Sequence, residues 1–122
     1  MTEKEELAKL DEILAHVRSL DAQMAWVIRS QASELKPLLL KYFKKRRRAA
    51  RVFLLVNGKR SSGRIAEDLN IRVQNVSNEI AELESRGLVE LKTWGVYKKS
   101  RIDSILRISS ELRKDPEFKD LK

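Results

Sequence analysis

Residues 60–91 read RSSGRIAEDLNIRVQNVSNEIAELESRGLVEL, and the spacing of apolar, turn and amide residues there predicts two short helices joined by a tight turn. The first helix is predicted over residues 63–69, with the Ser62 hydroxyl as its N-cap. Asn70 follows where helices often end in the left-handed conformation, which asparagine tolerates better than most residues. The stretch therefore predicts a helix, a turn and a second helix.

The second helix is predicted over residues 73–86, and Gly87 is well placed to end it. Its apolar face is formed by Val73, Val76, Ile80 and Leu83. The opposite face carries short amides and hydroxyls, which suit base edges in a DNA groove. The alternative is that these polar side chains are simply solvated. The candidates for base reading are Arg72, Gln74, Asn75, Ser77 and Asn78.

The residues after the second helix alternate between apolar and polar side chains, which predicts a short β-hairpin. Its first strand covers residues 88–92, its turn lies near Trp94 and Gly95, and its return strand covers residues 96–102. Two interpretations of Trp94 and Tyr97 stay open: their rings brace the hairpin, or they contact DNA.

The C-terminal segment, residues 103–122, is predicted to begin as a helix. Asp103 can act as its N-cap, and the apolar spacing then favours a helix to about Lys114. The alternative is that residues 104–108 form the return strand of the hairpin. We expect residues 117–122 to fray.

The two helices and the hairpin share the pattern Ile65-Ala66-x-x-Leu69-Asn70-Ile71-x-x-x-x-Val76-Ser77-x-x-Ile80-x-x-Leu83-x-x-x-Gly87-Leu88-Val89. This pattern resembles the winged helix-turn-helix of prokaryotic transcriptional regulators, broadly the multiple-antibiotic-resistance and arsenic-repressor types. The resemblance implies a mainly α fold with a small β-hairpin wing, a recognition helix in the major groove, and a homodimer on palindromic double-stranded DNA. It assigns base reading to the five polar residues named above. Asn70 stands where the family usually has glycine.

Residues 1–35 are predicted to form a long amphipathic helix, because residues 2–33 contain neither glycine nor proline. An apolar face of this width needs a partner, so we expect it to pair with a second protomer as a coiled coil. The alternative is that the helix folds back onto its own domain. The residues predicted for dimerisation are Leu7, Leu10, Leu14, Val17, Met24 and Ile28.

The pair Lys36-Pro37 is predicted to interrupt the helical chain, since the residue before proline is pushed away from helical angles. A further helix is then predicted over residues 37–56, and Asn57-Gly58 stops it. The winged helix-turn-helix domain is therefore assigned to residues 37–102, and a C-terminal helix and tail to residues 103–122.

The charges are distributed unevenly within a formal total of +8. Residues 36–64 hold 11 basic residues and no acidic one, whereas residues 65–90 are acidic overall. We expect the basic flanks to grip backbone phosphates. Alternatives for the basic run 44–48 are a solvated helix face or a nuclear-import signal. The phosphate candidates are Lys44, Arg47, Arg48, Arg51, Lys59, Arg60, Lys92, Lys98, Lys99 and Arg101.

The composition argues against an enzyme. The chain has no cysteine, one histidine, no glycine-rich phosphate loop and no convincing carboxylate pair in an apolar setting. We expect His16 to be an ordinary surface or interface residue, and we expect no metal site and no cofactor. No pattern identifies a small-molecule effector. The absence of cysteine, of a signal peptide and of a long apolar run favours a cytoplasmic, nucleoid-associated protein without a membrane partner. High lysine, arginine and glutamate content favours an archaeal host.

The sequence therefore predicts a transcriptional regulator that binds specific double-stranded DNA as a homodimer. One alternative is an architectural, nucleoid-type protein that coats or bridges DNA through phosphates alone. Another is a winged-helix scaffold for protein assembly. The amides Gln74, Asn75 and Asn78 favour base reading over the first alternative, and the basic hairpin favours DNA over the second.

Overall fold

A computed structural model describes residues 2–18 and 24–121, apart from the side chains of Arg18 and Met24. These residues are mainly helical, with one two-stranded antiparallel hairpin after the sixth helix, a layout compatible with a winged helix. The elements are α1 (Glu3–Arg18), α2 (Met24–Ser30), α3 (Ala32–Lys45), α4 (Arg47–Leu55), α5 (Ser62–Leu69), α6 (Val73–Ser85), β1 (Val89–Thr93), β2 (Val96–Lys99), α7 (Arg101–Leu106) and α8 (Ile108–Leu112).

Helix α4 lies at the centre of the core and packs against α3, α5, α6 and α8. Its buried side chains include Phe53, whose ring stacks on Phe43 of α3 with the ring centroids 4.8 Å apart. Burying a side chain of this size stabilises the fold by about 1.5–3 kcal/mol. The stacked pair therefore holds α3 and α4 together, and α6 also packs on α4, with its Val76, Ile80 and Leu83 buried.

Helices α5 and α6 and the turn between them form where the sequence predicts two helices and a turn. Helix α5 ends at Asn70, which adopts the left-handed conformation with φ 55° and ψ 48°, as predicted. The N–H of Ile71 then donates to the carbonyl of Ala66 and closes the turn. The N-cap is Ser61 and not Ser62, because Ser61 has extended backbone angles and its hydroxyl accepts from the N–H of Arg64. The predicted cap was therefore wrong by one residue.

Helix α6 buries three of the four apolar residues predicted for its inner face. Val73 is the exception: it is the first helical residue, and 52% of its surface is exposed. Gly87 ends the helix as predicted, with φ 77°, a conformation that glycine adopts without strain. The N–H of Leu88 donates to the carbonyl of Leu83 and directs the chain into β1.

Strands β1 and β2 pair antiparallel, with Val89 opposite Lys99 and a bulge after Leu91. A turn at Trp94–Gly95 joins them, which confirms the predicted hairpin. The return strand is shorter than predicted, because β2 ends at Lys99 and α7 begins at Arg101. An isolated bridge between Ser61 and Val96 places the start of α5 beside β2.

The C-terminal segment is helical but broken, so the return strand predicted as an alternative for residues 104–108 is wrong. Arg107 adopts the left-handed conformation and separates α7 from α8. Asp103 does not cap α7: its carboxylate accepts from the N–H of Ser109 at the start of α8. The predicted fraying after residue 117 is also wrong for residues 117–121, because Phe118 is completely buried.

The predicted single helix over residues 1–35 is wrong, because α2 and α3 are separate helices that meet at Gln31. Residues 19–23 of that prediction lie outside the described residues, as does the side chain of Met24. Helix α1 packs against α2 and α3. The rest of the apolar stripe predicted for dimerisation faces this contact: Leu7 is half-buried, and Leu10, Leu14, Val17 and Ile28 are buried. Within the single chain the stripe therefore packs against α2 and α3, as in the fold-back alternative.

The predicted break at Lys36-Pro37 is wrong, because Pro37 lies inside α3. A proline there removes one backbone hydrogen bond, and the burial of Leu35, Leu39 and Phe43 on the same helix offsets the loss. The break lies instead at Arg46, with φ −122° and ψ 74°, in the middle of the basic run. The predicted helix over residues 37–56 is thus divided between α3 and α4.

Candidate nucleic-acid interface

The outer face of α6 presents a row of small polar side chains. Gln74, Ser77 and Asn78 are exposed on this face, and Arg72 is exposed at its N-cap position. The Gln74 side-chain amide donates to the Asn78 carbonyl oxygen at 3.0 Å. Because each side chain uses one polar group in this bond, the Gln74 carbonyl and the Asn78 amide N–H groups face solvent. The pair therefore offers both an acceptor and donors on one face of α6.

Asn75 lies on the flank of α6 and is only half-exposed. One turn further along, Glu79 accepts from Arg48 of α4 at 3.2 Å. That ion pair crosses from α4 to α6 on the same flank, so Asn75 borders the packed side of the helix. Of the five predicted base-reading residues, four are exposed and Asn75 is the least accessible.

Three lysines surround Gly58, the residue that joins α4 to the segment beside β2. The Lys92 ammonium donates to the Gly58 carbonyl at 3.1 Å, and the Lys98 ammonium lies 3.5 Å from Glu90. Lys59 follows Gly58 and is exposed, with no described ion pair. Gly58 has φ 79°, and a Cβ there would lie 3.4 Å from the stem of Lys92. We call Lys59, Lys92 and Lys98 the hairpin lysines.

Lys99 differs from the hairpin lysines because it points into the core. Its ammonium donates to the carbonyls of Leu54 and Val56 at the end of α4, and it lies 5.4 Å from the Phe53 ring centroid. Burial lowers the pKa of Lys99 to about 8. Lys99 therefore fastens the hairpin to α4, although the sequence analysis placed it among the phosphate candidates.

Most of the basic run is paired within the chain. Arg47 donates to Asp115 at 3.1 Å and also contacts Glu117, and Arg51 donates to Glu117. The backbone N–H of Glu117 and then the Arg47 side chain hold the pKa of Asp115 below its ordinary value. The C-terminal tail thus occupies two arginines that were predicted to contact phosphates, and Arg48 is paired with Glu79 of α6.

The remaining phosphate candidates have different settings. Arg60 donates to the Leu55 carbonyl at 3.1 Å and pairs with Asp68, so it braces the start of α5. Lys44 and Arg101 are exposed, and no ion pair is described for either. Among the predicted phosphate candidates, Lys44, Lys59, Lys92 and Arg101 are therefore exposed without a described ion pair.

Two features of this surface were missed or left open by the sequence analysis. Trp94 is 94% exposed at the hairpin turn, so its ring braces nothing, whereas Tyr97 is half-buried and packs against the core. The C-terminal tail was expected to fray, yet its Asp115 and Glu117 pair with Arg47 and Arg51. The sequence shows that residues 36–64 contain no acidic residue, but it does not show which carboxylates elsewhere in the chain pair with their cations.

Within residues 2–18 and 24–121, no group of three or more histidine, cysteine, aspartate or glutamate side chains could hold a metal ion. None of the helices described is both long and apolar enough to cross a membrane.

No protein-family model matches the chain, and no curated protein or solved structure matches it significantly.

Proposed function

We propose that this chain is a sequence-specific transcriptional regulator that binds double-stranded DNA through a winged helix-turn-helix, with α6 as the recognition helix. The observation that carries the proposal is the Gln74–Asn78 pair on the exposed face of α6. Amide side chains can match the adjacent acceptor and donor that adenine presents in the major groove. A pair fixed by its own hydrogen bond loses less conformational entropy on binding than two free side chains.

The order and pairing of the elements support the same proposal. A three-residue turn, residues 70–72, joins α5 to α6. Residues 86–88, with Gly87 at their centre, then join α6 to the hairpin. The bridge between Ser61 and Val96 adds a third chain segment to the hairpin. This arrangement would place α6 in a major groove with the hairpin beside the sugar–phosphate backbone.

In the proposed complex, different residues provide the affinity for DNA and the discrimination between DNA sequences. The hairpin lysines and Arg101 would contact phosphates, which attract the protein to any duplex. Arg72 and the amide pair would read base edges, which distinguish one duplex from another. Lys99 has no part in this interface, because its ammonium is buried and donates to carbonyls at the end of α4. Arg47 and Arg51 would have to leave the carboxylates of the C-terminal tail before they could contact a phosphate, and Lys98 would have to leave Glu90.

We also propose a homodimer, because two recognition helices about one DNA turn apart can read a palindromic site. The buried stripe of α1 is filled by the chain's own α3, so a dimer through that stripe would require α1 to leave α3. We therefore propose that two protomers meet through other surfaces.

The second candidate is an architectural protein that binds duplexes through phosphates alone. The observation that favours it is the exposure of the hairpin lysines, which carry no base information. The two candidates differ in one measurable quantity, the ratio of affinities for a preferred and a scrambled duplex.

The test begins with a duplex selected from random DNA. The affinity for this duplex is then measured for the double variant Gln74→Ala, Asn78→Ala and for the single variant Lys92→Ala. The amide variant is expected to lower the preference for the selected over a scrambled duplex by about 10-fold or more. Lys92→Ala should weaken binding to both duplexes equally and reduce the salt slope by about 1. Glu84→Ala, an exposed change on the same helix, is the matched control.

Equal losses on both duplexes from the amide variant would favour the architectural protein over the regulator. Failure of the unmodified protein to bind any duplex would refute DNA binding altogether.

A further inference from the structure

Trp94 is the most exposed large apolar side chain that the structure describes. It is 94% exposed, and no hydrogen bond, ring contact or cation contact to the indole is described. A single exposed apolar residue is ordinary on a protein surface, but an indole presents a far larger apolar area to water than an aliphatic side chain does. No described contact of this ring stabilises the fold.

The hairpin turn that carries Trp94 is held in place. The N–H of Ser62 donates to the Gly95 carbonyl at 3.3 Å, and the N–H of Gly58 donates to the Tyr97 carbonyl at 2.9 Å. Gly95 has φ 75°, and a Cβ built on it meets nothing within 4 Å, so the turn stands in open space. The indole is therefore presented from a fixed backbone next to the start of α5.

The surroundings of the turn are cationic. Lys92 and Lys98 both approach Gly58, and Lys59 follows it. Glu90 is the carboxylate described on the hairpin, and it is paired with Lys98. An apolar ring beside exposed cations suits a partner with an anionic backbone and stacked apolar interiors, which is the chemistry of a DNA duplex.

We propose that Trp94 is a wedge that enters the minor groove and partly unstacks one base step, so that the bound duplex is bent. The inference rests on the proposed function, since α6 in a major groove places the hairpin turn toward the neighbouring minor groove. Apolar side chains that enter base steps kink DNA, and flexible pyrimidine–purine steps cost least to unstack. Trp94 therefore selects duplexes by deformability at a step that α6 does not touch.

The test uses the full chain and the selected duplex. Trp94→Ala is expected to fold normally, because the indole has no described contacts, and to bind the duplex about 10-fold more weakly. It should also lose the bend that the unmodified protein induces, measured by energy transfer between dyes at the duplex ends. Trp94→Phe keeps an aromatic ring and should retain part of both effects.

Fluorescence provides a second readout, with matched single-tryptophan proteins. Trp26→Phe leaves Trp94 as the reporter, and the duplex should quench its emission. Trp94→Phe leaves Trp26, on α2, and its emission should not change.

Unchanged affinity, bend and emission in these proteins would overturn the wedge and leave the proposed function standing, provided that the unmodified protein still prefers the selected duplex. Quenching without a bend would also overturn it, because the ring would then touch the groove without entering a base step. If the unmodified protein bound no duplex, both the wedge and the proposed function would be refuted.

Discussion

Lys99 fastens the hairpin to α4. Its ammonium donates to the carbonyls of Leu54 and Val56 at the C-terminal end of α4, where helix carbonyls have no partner within the helix. Burial lowers the pKa of this lysine to about 8, below its ordinary 10.5. The ammonium group of Lys99 therefore makes its contacts inside the fold.

The depressed pKa of Lys99 has a consequence for stability. Between pH 8 and 10.5 the unfolded chain binds a proton that the folded chain has released, so this group makes the free energy of unfolding rise with pH in that window. Lys99→Met removes the titration, and we expect a smaller rise than in the unmodified protein. Urea unfolding at several pH values measures the difference, and identical pH dependence of the two proteins would contradict it.

The sequence predicts a residue's conformation well when it depends on neighbouring residues, and poorly when it depends on contacts with distant segments. The left-handed Asn70 was predictable because its conformation depends on neighbouring residues alone. The choice between Ser61 and Ser62 as N-cap was not, because either serine can cap and the bridge from Ser61 to Val96 favours one of them. The burial of Lys99 depends on α4, which is distant in sequence.

At the scale of elements, the C-terminal tail is an integral part of the fold. Phe118 is completely buried, and the Arg47 guanidinium lies 5.4 Å from its ring centroid. The Arg113 side chain donates to the carbonyls of Leu121 and Leu54, which joins the tail to α4. The tail therefore covers part of the core and supplies carboxylates to the basic run.

Phe118→Ala is expected to lower the free energy of unfolding by about 3–5 kcal/mol, because it leaves a cavity against α4. Phe118→Leu, which keeps most of the volume, should cost much less. Chemical denaturation followed by circular dichroism measures both. A loss below about 1 kcal/mol for the alanine variant would mean that the tail frays, as its sequence suggests.

The elements that sequence predicts correctly are those fixed by short-range patterns. Helices α5 and α6, the turn between them and the hairpin all follow from spacing within about 40 residues. The break at Arg46, the continuation through Pro37 and the docking of the tail depend on contacts between distant segments. For the same reason the candidate face of α6 was predictable, whereas the loss of Arg47 and Arg51 to the tail was not.

At the scale of the molecule, internal ion pairs redistribute the charge available to a partner. The N-terminal helix neutralises part of α3, with Lys41 2.8 Å from Glu6, and Asp11 accepts from Arg86 at the end of α6 at 3.0 Å. Together with Asp115 and Glu117 of the C-terminal tail, these pairs shift the accessible positive charge toward the hairpin and the start of α6. Helix α1 is thus tied to α3 and to the end of α6, although its amphipathic pattern predicts a dimer contact.

The central claim is discrimination among DNA sequences. Its most direct test is the affinity of the unmodified protein for a duplex selected from random DNA, relative to a scrambled duplex of equal length at the same salt concentration. The proposed function predicts a ratio of about 10³ or more. Equal affinities with the same salt slope would contradict it, since the amide face of α6 would then read no bases.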